Sequence, residues 1–281
     1  MSRLLDTLYL IRALNCLLAS AGVWIGARLV WGEPAYYGPT VASIAAFLIC
    51  AAGNAMNDRL DIEGDRINHP KRVLVTGMLS PKYARNLTLV LNAAALLMAW
   101  AISLSMLLIG LVTVGLLSLY NLKLKRIPLV GNAVVALLAA MTFLTGGFAV
   151  NPDLVFRLPG PLVAAAFAFF FHLVREIVKD IQDMDGDRRA GLDSLPLRIG
   201  SGQSLTLALV LFTLMTLLTC VPVLKGWYGL AYEVIVVYLV DLPLLGFMIA
   251  LRIRPTSRML TAGSTALKIG MALGLVALVL A

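Results

Sequence analysis

Two short stretches concentrate the side chains that can do chemistry. In "NDRLDIEGDRINHPKR", residues 57–72, eight of sixteen residues are charged, whereas the forty before it carry only two. A partner stretch, "REIVKDIQDMDGDRRAG", runs from Arg175 to Gly191. At 100° per residue, Asn57, Asp61 and Asp65 share an arc of roughly 80°, and Asn54 joins that face. Glu176, Asp180, Asp183 and Asp187 share an arc of about 60° by the same arithmetic. Like charges one turn apart repel, and an acid near a membrane interior costs up to about 3 kcal/mol, so something positive must offset each cluster. Oxygen ligands without His or Cys suit magnesium, which keeps several waters and bridges a few carboxylates to substrate phosphates. The plainer reading is that both stretches are solvated loops whose acids pair with neighbouring Arg and Lys. Two motifs, each at a span end with most acids on one face, argue against it.

Other polar residues in these regions read differently. Glu63 and Asp185 point away from the two faces and are expected to be solvated, while Asp58 lies at the edge of the first, one layer behind the ligands. His69 and His172 are solitary and read as structural or polar-lining residues. "FAFFFH" reads as packing or lipid-facing surface, with the lining of an apolar channel as the alternative. Cys16, Cys50 and Cys220 lie far apart in apolar segments without ligand spacing, which points to plain packing.

The elements that must position these clusters are membrane spans. Of 281 residues 60% are hydrophobic and 14% charged, and the mean hydropathy is +0.91, beyond the range of a soluble domain. Apolar stretches fall at 8–31, 38–56, 83–102, 105–120, 129–150, 160–179, 203–223, 230–250 and 262–281. They read as helices, because a lipid-exposed backbone must satisfy its own hydrogen bonds. The first runs on through Trp24 and Trp31 without a small-residue cleavage signature, so it reads as a span rather than a removed signal. The expected fold is an all-α membrane bundle of nine transmembrane helices, one domain over residues 1–281, with cytoplasmic loops capping the site.

Nine spans require a break at Ser103–Ser105 within an otherwise over-long apolar run. With that break, the loops at 57–82, 121–128, 180–200 and 251–261 share a side with the N-terminus. That side then holds 20 of the 23 Lys and Arg, leaving Arg28, Arg157 and Lys225 opposite. Basic loops stay in the cytoplasm, so the N-terminus and the acidic motifs are placed there. The net charge of +8 follows from topology and an anionic ligand; no nucleic-acid partner is needed.

At the two acidic stretches the sequence resembles the UbiA superfamily of intramembrane prenyltransferases. Asn57, Asp58, Asp61 and Asp65 match its first motif, N-D-x-x-D-x-x-x-D, in full. Asp183 and Asp187, with Glu176 or Asp180 upstream, match its second. The continuations "DRINHPKRVLVTG" and "KDIQDMDGDRRAGLDSLPLRIG" are closest to the branch of geranylgeranylglycerol-phosphate geranylgeranyltransferases, with chlorophyll synthases further off. Val73, Val75 and Thr76 replace two prolines and a serine usual in that branch. In the family's Y-x-x-x-K element, "YNLKLKR" sets Lys123 three and Lys125 five residues after Tyr120, so either lysine can take the role.

The resemblance implies a magnesium-dependent transfer of a polyprenyl group from its diphosphate to a lipid or aromatic acceptor. Implied metal ligands are Asn57, Asp61, Asp65, Asp183 and Asp187, with Asp180 and Glu176 as second choices. Arg66, Arg72, Lys123, Lys125 and Lys179 are candidate diphosphate clamps. Tyr120 is placed to shield a carbocation with its ring. Arg12 and Asn15, polar residues within the first span, are expected to face the interior as acceptor or phosphate contacts. A lipid alcohol, geranylgeranylglyceryl phosphate, is the favoured acceptor; an aromatic quinone precursor or chlorophyllide is the alternative. A secondary transporter would place its acids at the bilayer midplane, and the D-x-x-D-G-x-x-A-R signature of CDP-alcohol phosphotransferases is absent.

Overall fold

The computed structural model describes residues 3–30, 36–189, 191 and 193–281, so Trp31 lies outside the described residues. The described chain is built from helices, with no strand. Eight helices are long and apolar enough to cross a bilayer, and a ninth span exists only if the bent pair Arg3–Ile11 and Ala13–Arg28 is counted as one. The first span is therefore not the continuous helix expected. Helices α1 (Arg3–Ile11) and α2 (Ala13–Arg28) meet at 54°, because Arg12 adopts φ 52° and ψ 59°, the left-handed region that costs a non-glycine residue about 1–2 kcal/mol.

Backbone contacts divide the chain into two compact units. One runs to Lys125 and includes Met141–Val155; the other comprises Arg126–Ala140 and Phe156–Ala281. In the first unit, α2 packs on α3 (Tyr37–Leu60), which packs on α5 (Pro81–Ile102) and α6 (Leu104–Leu122). Small residues let these helices approach. Ala51, Ala52, Ala55, Ala84 and Ala95 are almost completely buried, and membrane helices associate by close van der Waals packing rather than by escape from water. The closest approach joins α2 to α7 (Val130–Val150): a Cβ on Gly26 would collide with the Phe143 carbonyl, and one on Gly146 with that of Val23. Between α3 and α5 lies the short α4 (Ile62–Asn68).

The expected break is present. Ile102 ends α5, Ser103 is fully extended, and its hydroxyl caps α6 by accepting from the Met106 amide at 3.1 Å. An N-cap serine takes one of the amides that a helix start leaves unpaired.

The second unit is organised round α8 (Pro161–Arg189), which packs against α10 (Ser201–Leu224) and α13 (Ser257–Val279), with the short α9 (Leu195–Ile199) alongside. Phe171, Val174 and Ile177 of α8 meet Leu205, Phe212, Met248 and Leu267 in one buried cluster. A span formed by α11 (Leu230–Glu233), a π-helical segment (Val234–Asp241) and α12 (Leu242–Ile253) completes it. Pro243 follows the π-helical segment; its missing N–H cannot continue regular α pairing.

Candidate active site

In the first unit, α3 ends at Leu60 and α4 begins at Ile62, yet the helical register survives the kink at Asp61. The Asp61 amide donates to the Asn57 carbonyl (3.0 Å) and the Asp65 amide to that of Asp61 (2.8 Å). Asn57, Asp61 and Asp65 therefore occupy successive turns, as their spacing predicts. Asn57 Nδ2 donates to Asp61 Oδ2 at 2.9 Å, and the Lys125 ammonium forms an ion pair with the other Asp61 oxygen. Asp65 is buried and accepts from Arg72 Nη1 at 2.5 Å. Burial pushes its carboxyl above the ordinary range and the Arg72 charge draws it partly back.

Asp58 faces elsewhere. Its carboxylate is 4% exposed, and Oδ1 accepts from Arg12 Nη2 at 2.6 Å and from Arg72 Nη1 at 3.1 Å. Both arginines, with Tyr9, Asp58, His69, Pro70, Lys71, Val73 and Met78, line a pocket of about 570 Å³. Asn54 leaves the oxygen cluster it was expected to join. Its amide donates to the Ile11 carbonyl at 2.8 Å, satisfying a carbonyl freed where α1 breaks, and it also approaches the sulfurs of Cys16 (3.8 Å) and Cys50 (3.7 Å).

In the second unit the acidic motif lies on the last turns of α8, which extends ten residues past the expected span. Asp180 Oδ2 accepts from Asn132 Nδ2 at 2.8 Å, and Glu176 pairs with Arg175 at 2.5 Å. Asp183 and Asp187 follow on the same helix, half-buried, while Asp185 and Lys179 are exposed. Arg175 Nε is buried without a hydrogen-bond partner, a donor of the kind a phosphoryl oxygen satisfies.

No three His, Cys, Asp or Glu side chains gather into a metal-holding group among the described residues. Magnesium does not need one, because it is held by one or two carboxylates with waters and substrate phosphates. Asp61, whose carboxylate already faces a cation, fits that demand with Asn57 beside it.

The chain matches the model of the UbiA prenyltransferase family over residues 16–262. It belongs to the UbiA prenyltransferase family. Among its relatives are the digeranylgeranylglyceryl phosphate synthase of Methanopyrus kandleri, 36% identical over 273 residues and 96% of each chain, and that of Methanothrix thermoacetophila, 34% identical over 277 residues and again 96% of each. A solved structure described as digeranylgeranylglyceryl phosphate synthase in membranes is similar with a TM-score of 0.78 at 31% identity, covering 99% of this chain and 98% of that one. A UbiA homologue from Archaeoglobus fulgidus bound to DMAPP and Mg2+ shares the fold, with a TM-score of 0.66 at 18% identity over 98% and 100% of the two chains.

Of the two lysines that follow Tyr120 in this UbiA enzyme, Lys125 reaches Asp61 whereas Lys123, at the end of α6, is exposed. Tyr120 is half-buried one turn earlier. Arg66 is not gathered in; it forms an exposed i,i+3 pair with Glu63. Asn15, expected to face the interior, is exposed, because the left-handed turn at Arg12 resets the helical phase and buries Cys16 instead. Sequence reasoning missed Asn132 and Arg175. The first carries one usable signal, a polar residue at the start of an apolar span; the second lies inside the quoted motif but its adjacent acid hides it.

Proposed function

We propose that this UbiA prenyltransferase moves a geranylgeranyl group from its diphosphate to geranylgeranylglyceryl phosphate, as one catalytic domain over residues 1–281 acting at the cytoplasmic face of the cell membrane. The observation that carries this reading is the interleaving of acids and bases in the first motif, where Lys125 meets Asp61 and Arg72 meets Asp65. A carboxylate set of this kind holds a magnesium diphosphate only if cations stand beside it to take the phosphoryl oxygens. Similarity over nearly the whole chain to digeranylgeranylglyceryl phosphate synthases supports the choice of acceptor.

Asn57, Asp61 and Asp65, on successive turns across the α3–α4 kink, and Asp180, Asp183 and Asp187 on α8 would hold magnesium. When bound, the metal neutralises the charge that develops on the departing diphosphate. Lys125 in the first unit and the orphan donor of Arg175 in the second are each suited to add fixed positive charge toward a diphosphate, and such preorganised groups act where charge develops. Arg66, Lys123 and Lys179, all exposed, contribute long-range attraction. The allylic C–O bond breaks, the Tyr120 ring face shields the resulting cation, the acceptor hydroxyl oxygen forms the ether bond, and its proton is released. Arg12 is assigned to the acceptor, and the exposed Asn15 is not.

The test is to incubate the purified protein with geranylgeranyl diphosphate, magnesium and a panel of alcohol and aromatic acceptors and to identify products by mass spectrometry. Digeranylgeranylglyceryl phosphate is the expected product. Faster prenylation of 4-hydroxybenzoate or homogentisate would replace this acceptor with an aromatic one.

A further inference from the structure

Asp58 carries the family motif but does not share the arc of Asn57, Asp61 and Asp65, since one residue along a helix turns the side chain by about 100°. Instead, its buried Oδ1 accepts from two guanidinium groups 60 residues apart in sequence, Arg12 and Arg72. Each gives Asp58 a single nitrogen, that of Arg72 being shared with Asp65, and a guanidinium has five N–H donors, so the other nitrogens of each fork are left to the pocket that both line. Arg12 holds a left-handed backbone that persists only where its surroundings over-determine it. Here the carbonyl before it is held by Asn54 and by the Cys16 thiol at 3.1 Å.

The lining has a definite chemistry. Arg12, Lys71 and Arg72 stand against the carboxylate of Asp58 and that of Asp65, which also pairs with Arg72, so positive charge is in excess, as a phosphate monoester carrying about −1.5 to −2 at neutral pH requires. Tyr9 and Met78, both exposed, give the mouth an apolar rim. The volume of about 570 Å³ exceeds a bare phosphate and admits a glycerol and the start of a hydrocarbon chain.

We infer that Asp58 is a positioning residue: it holds Arg12 and Arg72 in the wall of this pocket, where the two guanidinium groups take the phosphate monoester of the lipid acceptor. The inference rests on the reading of the acceptor as a lipid phosphate. Removing the Asp58 charge frees the Arg12 fork, while Arg72 keeps its pairing with Asp65, so the acceptor site loosens with the magnesium carboxylates still in place and acceptor affinity and metal affinity separate.

The experiment uses the full chain in detergent micelles. Asp58→Asn, Arg12→Gly and the double variant are assayed for acceptor KM, kcat and half-saturating magnesium. Asp58→Asn should raise the KM for geranylgeranylglyceryl phosphate about 10-fold, lower kcat less than about 3-fold and leave half-saturating magnesium unchanged. Arg12→Gly, which suits the left-handed backbone, should raise KM similarly. The double variant should fall well short of the product of the two effects, as expected for residues acting together. An unchanged KM, full multiplicativity, or a magnesium shift like that of Asp61→Asn would overturn the proposal, as would loss of folding in the near-isosteric Asp58→Asn. Binding of glycerol phosphate, followed by 31P NMR, tests the pocket without turnover. Binding that Asp58→Asn weakens about 10-fold, in a protein that prenylates only aromatic acceptors, would sink the acceptor assignment and keep the brace. Turnover of the lipid with KM unmoved would do the reverse.

Discussion

At the scale of single residues, the ion pair between Lys125 and Asp61 separates two lysines that the sequence leaves equivalent. Lys125 is largely shielded from solvent, with 15% of its side chain exposed, whereas Lys123 points outward from the end of α6. A preorganised charge in a shielded site resists loss far more than a solvated one. Lys125→Ala should therefore lower kcat about 10²-fold, the usual cost of deleting one electrostatic contact to a developing anion. Lys123→Ala should change it less than about 3-fold, as expected for a screened surface charge. Steady-state kinetics on both variants decides, and equal losses would return the role to either lysine. The metal carries a second prediction. Asp61→Ala and Asp183→Ala should each abolish turnover while leaving the protein monodisperse, and EDTA should silence the wild type until magnesium is restored. Full activity in EDTA, or in either variant, would remove the magnesium assignment. The oxygen faces behind this prediction were legible from spacing alone, because a helix converts i, i+4 into neighbours. The partners were not: Arg12 is 46 residues from Asp58 and Lys125 is 64 from Asp61, and nothing local announces such pairings.

At the scale of elements, the spans were legible because lipid allows the backbone few alternatives, and the break at Ser103 was legible because charge on the flanking loops demanded it. Two departures were not. Arg12 breaks the first span without a proline or glycine to mark it, and the π-helical segment before Pro243 reads in sequence as ordinary apolar helix. Its Asp241 is buried and accepts from the Thr219 hydroxyl on α10, a polar link that an apolar count overlooks. Packing between spans rests on glycines whose roles composition cannot tell apart. Gly146 has the Val23 carbonyl where a Cβ would go, while Gly115 on α6 has nothing within 4 Å. The same substitution should thus have opposite signs. Gly146→Ala should destabilise by about 1–3 kcal/mol through overpacking, and Gly115→Ala should stabilise by up to about 1 kcal/mol through helix propensity. Thermal unfolding in detergent compares them directly; a shift of the same sign in both would show that the α2–α7 contact is not as close as described.

At the scale of the whole molecule, the proposed orientation in the membrane rests on counting charges on loops, and the count depends on one turn. With α5 and α6 as separate spans, the nine-span reading returns the loops at 57–82 and 121–128 to one side and would gather 20 of 23 Lys and Arg there. Had residues 86–120 formed one helix, every later loop would have changed sides and the bias would have vanished, against the strong preference of basic loops for the cytoplasm. Leu104 begins α6 immediately after the turn and is 67% exposed, which makes it a direct reporter. In a background with Cys16, Cys50 and Cys220 replaced by alanine, Leu104→Cys in intact cells should react with a membrane-impermeant maleimide added outside. A cysteine at the exposed Lys71 should react only after the cells are opened. Alanine suits the three native positions because all are free thiols, and the Ile11 carbonyl that the Cys16 thiol meets keeps its bond from Asn54. Labelling of Leu104→Cys from the cytoplasmic face alone would invert the topology. It would carry Asp61, Lys125 and the pocket below Arg12 to the outer surface, away from any cytoplasmic supply of prenyl diphosphate.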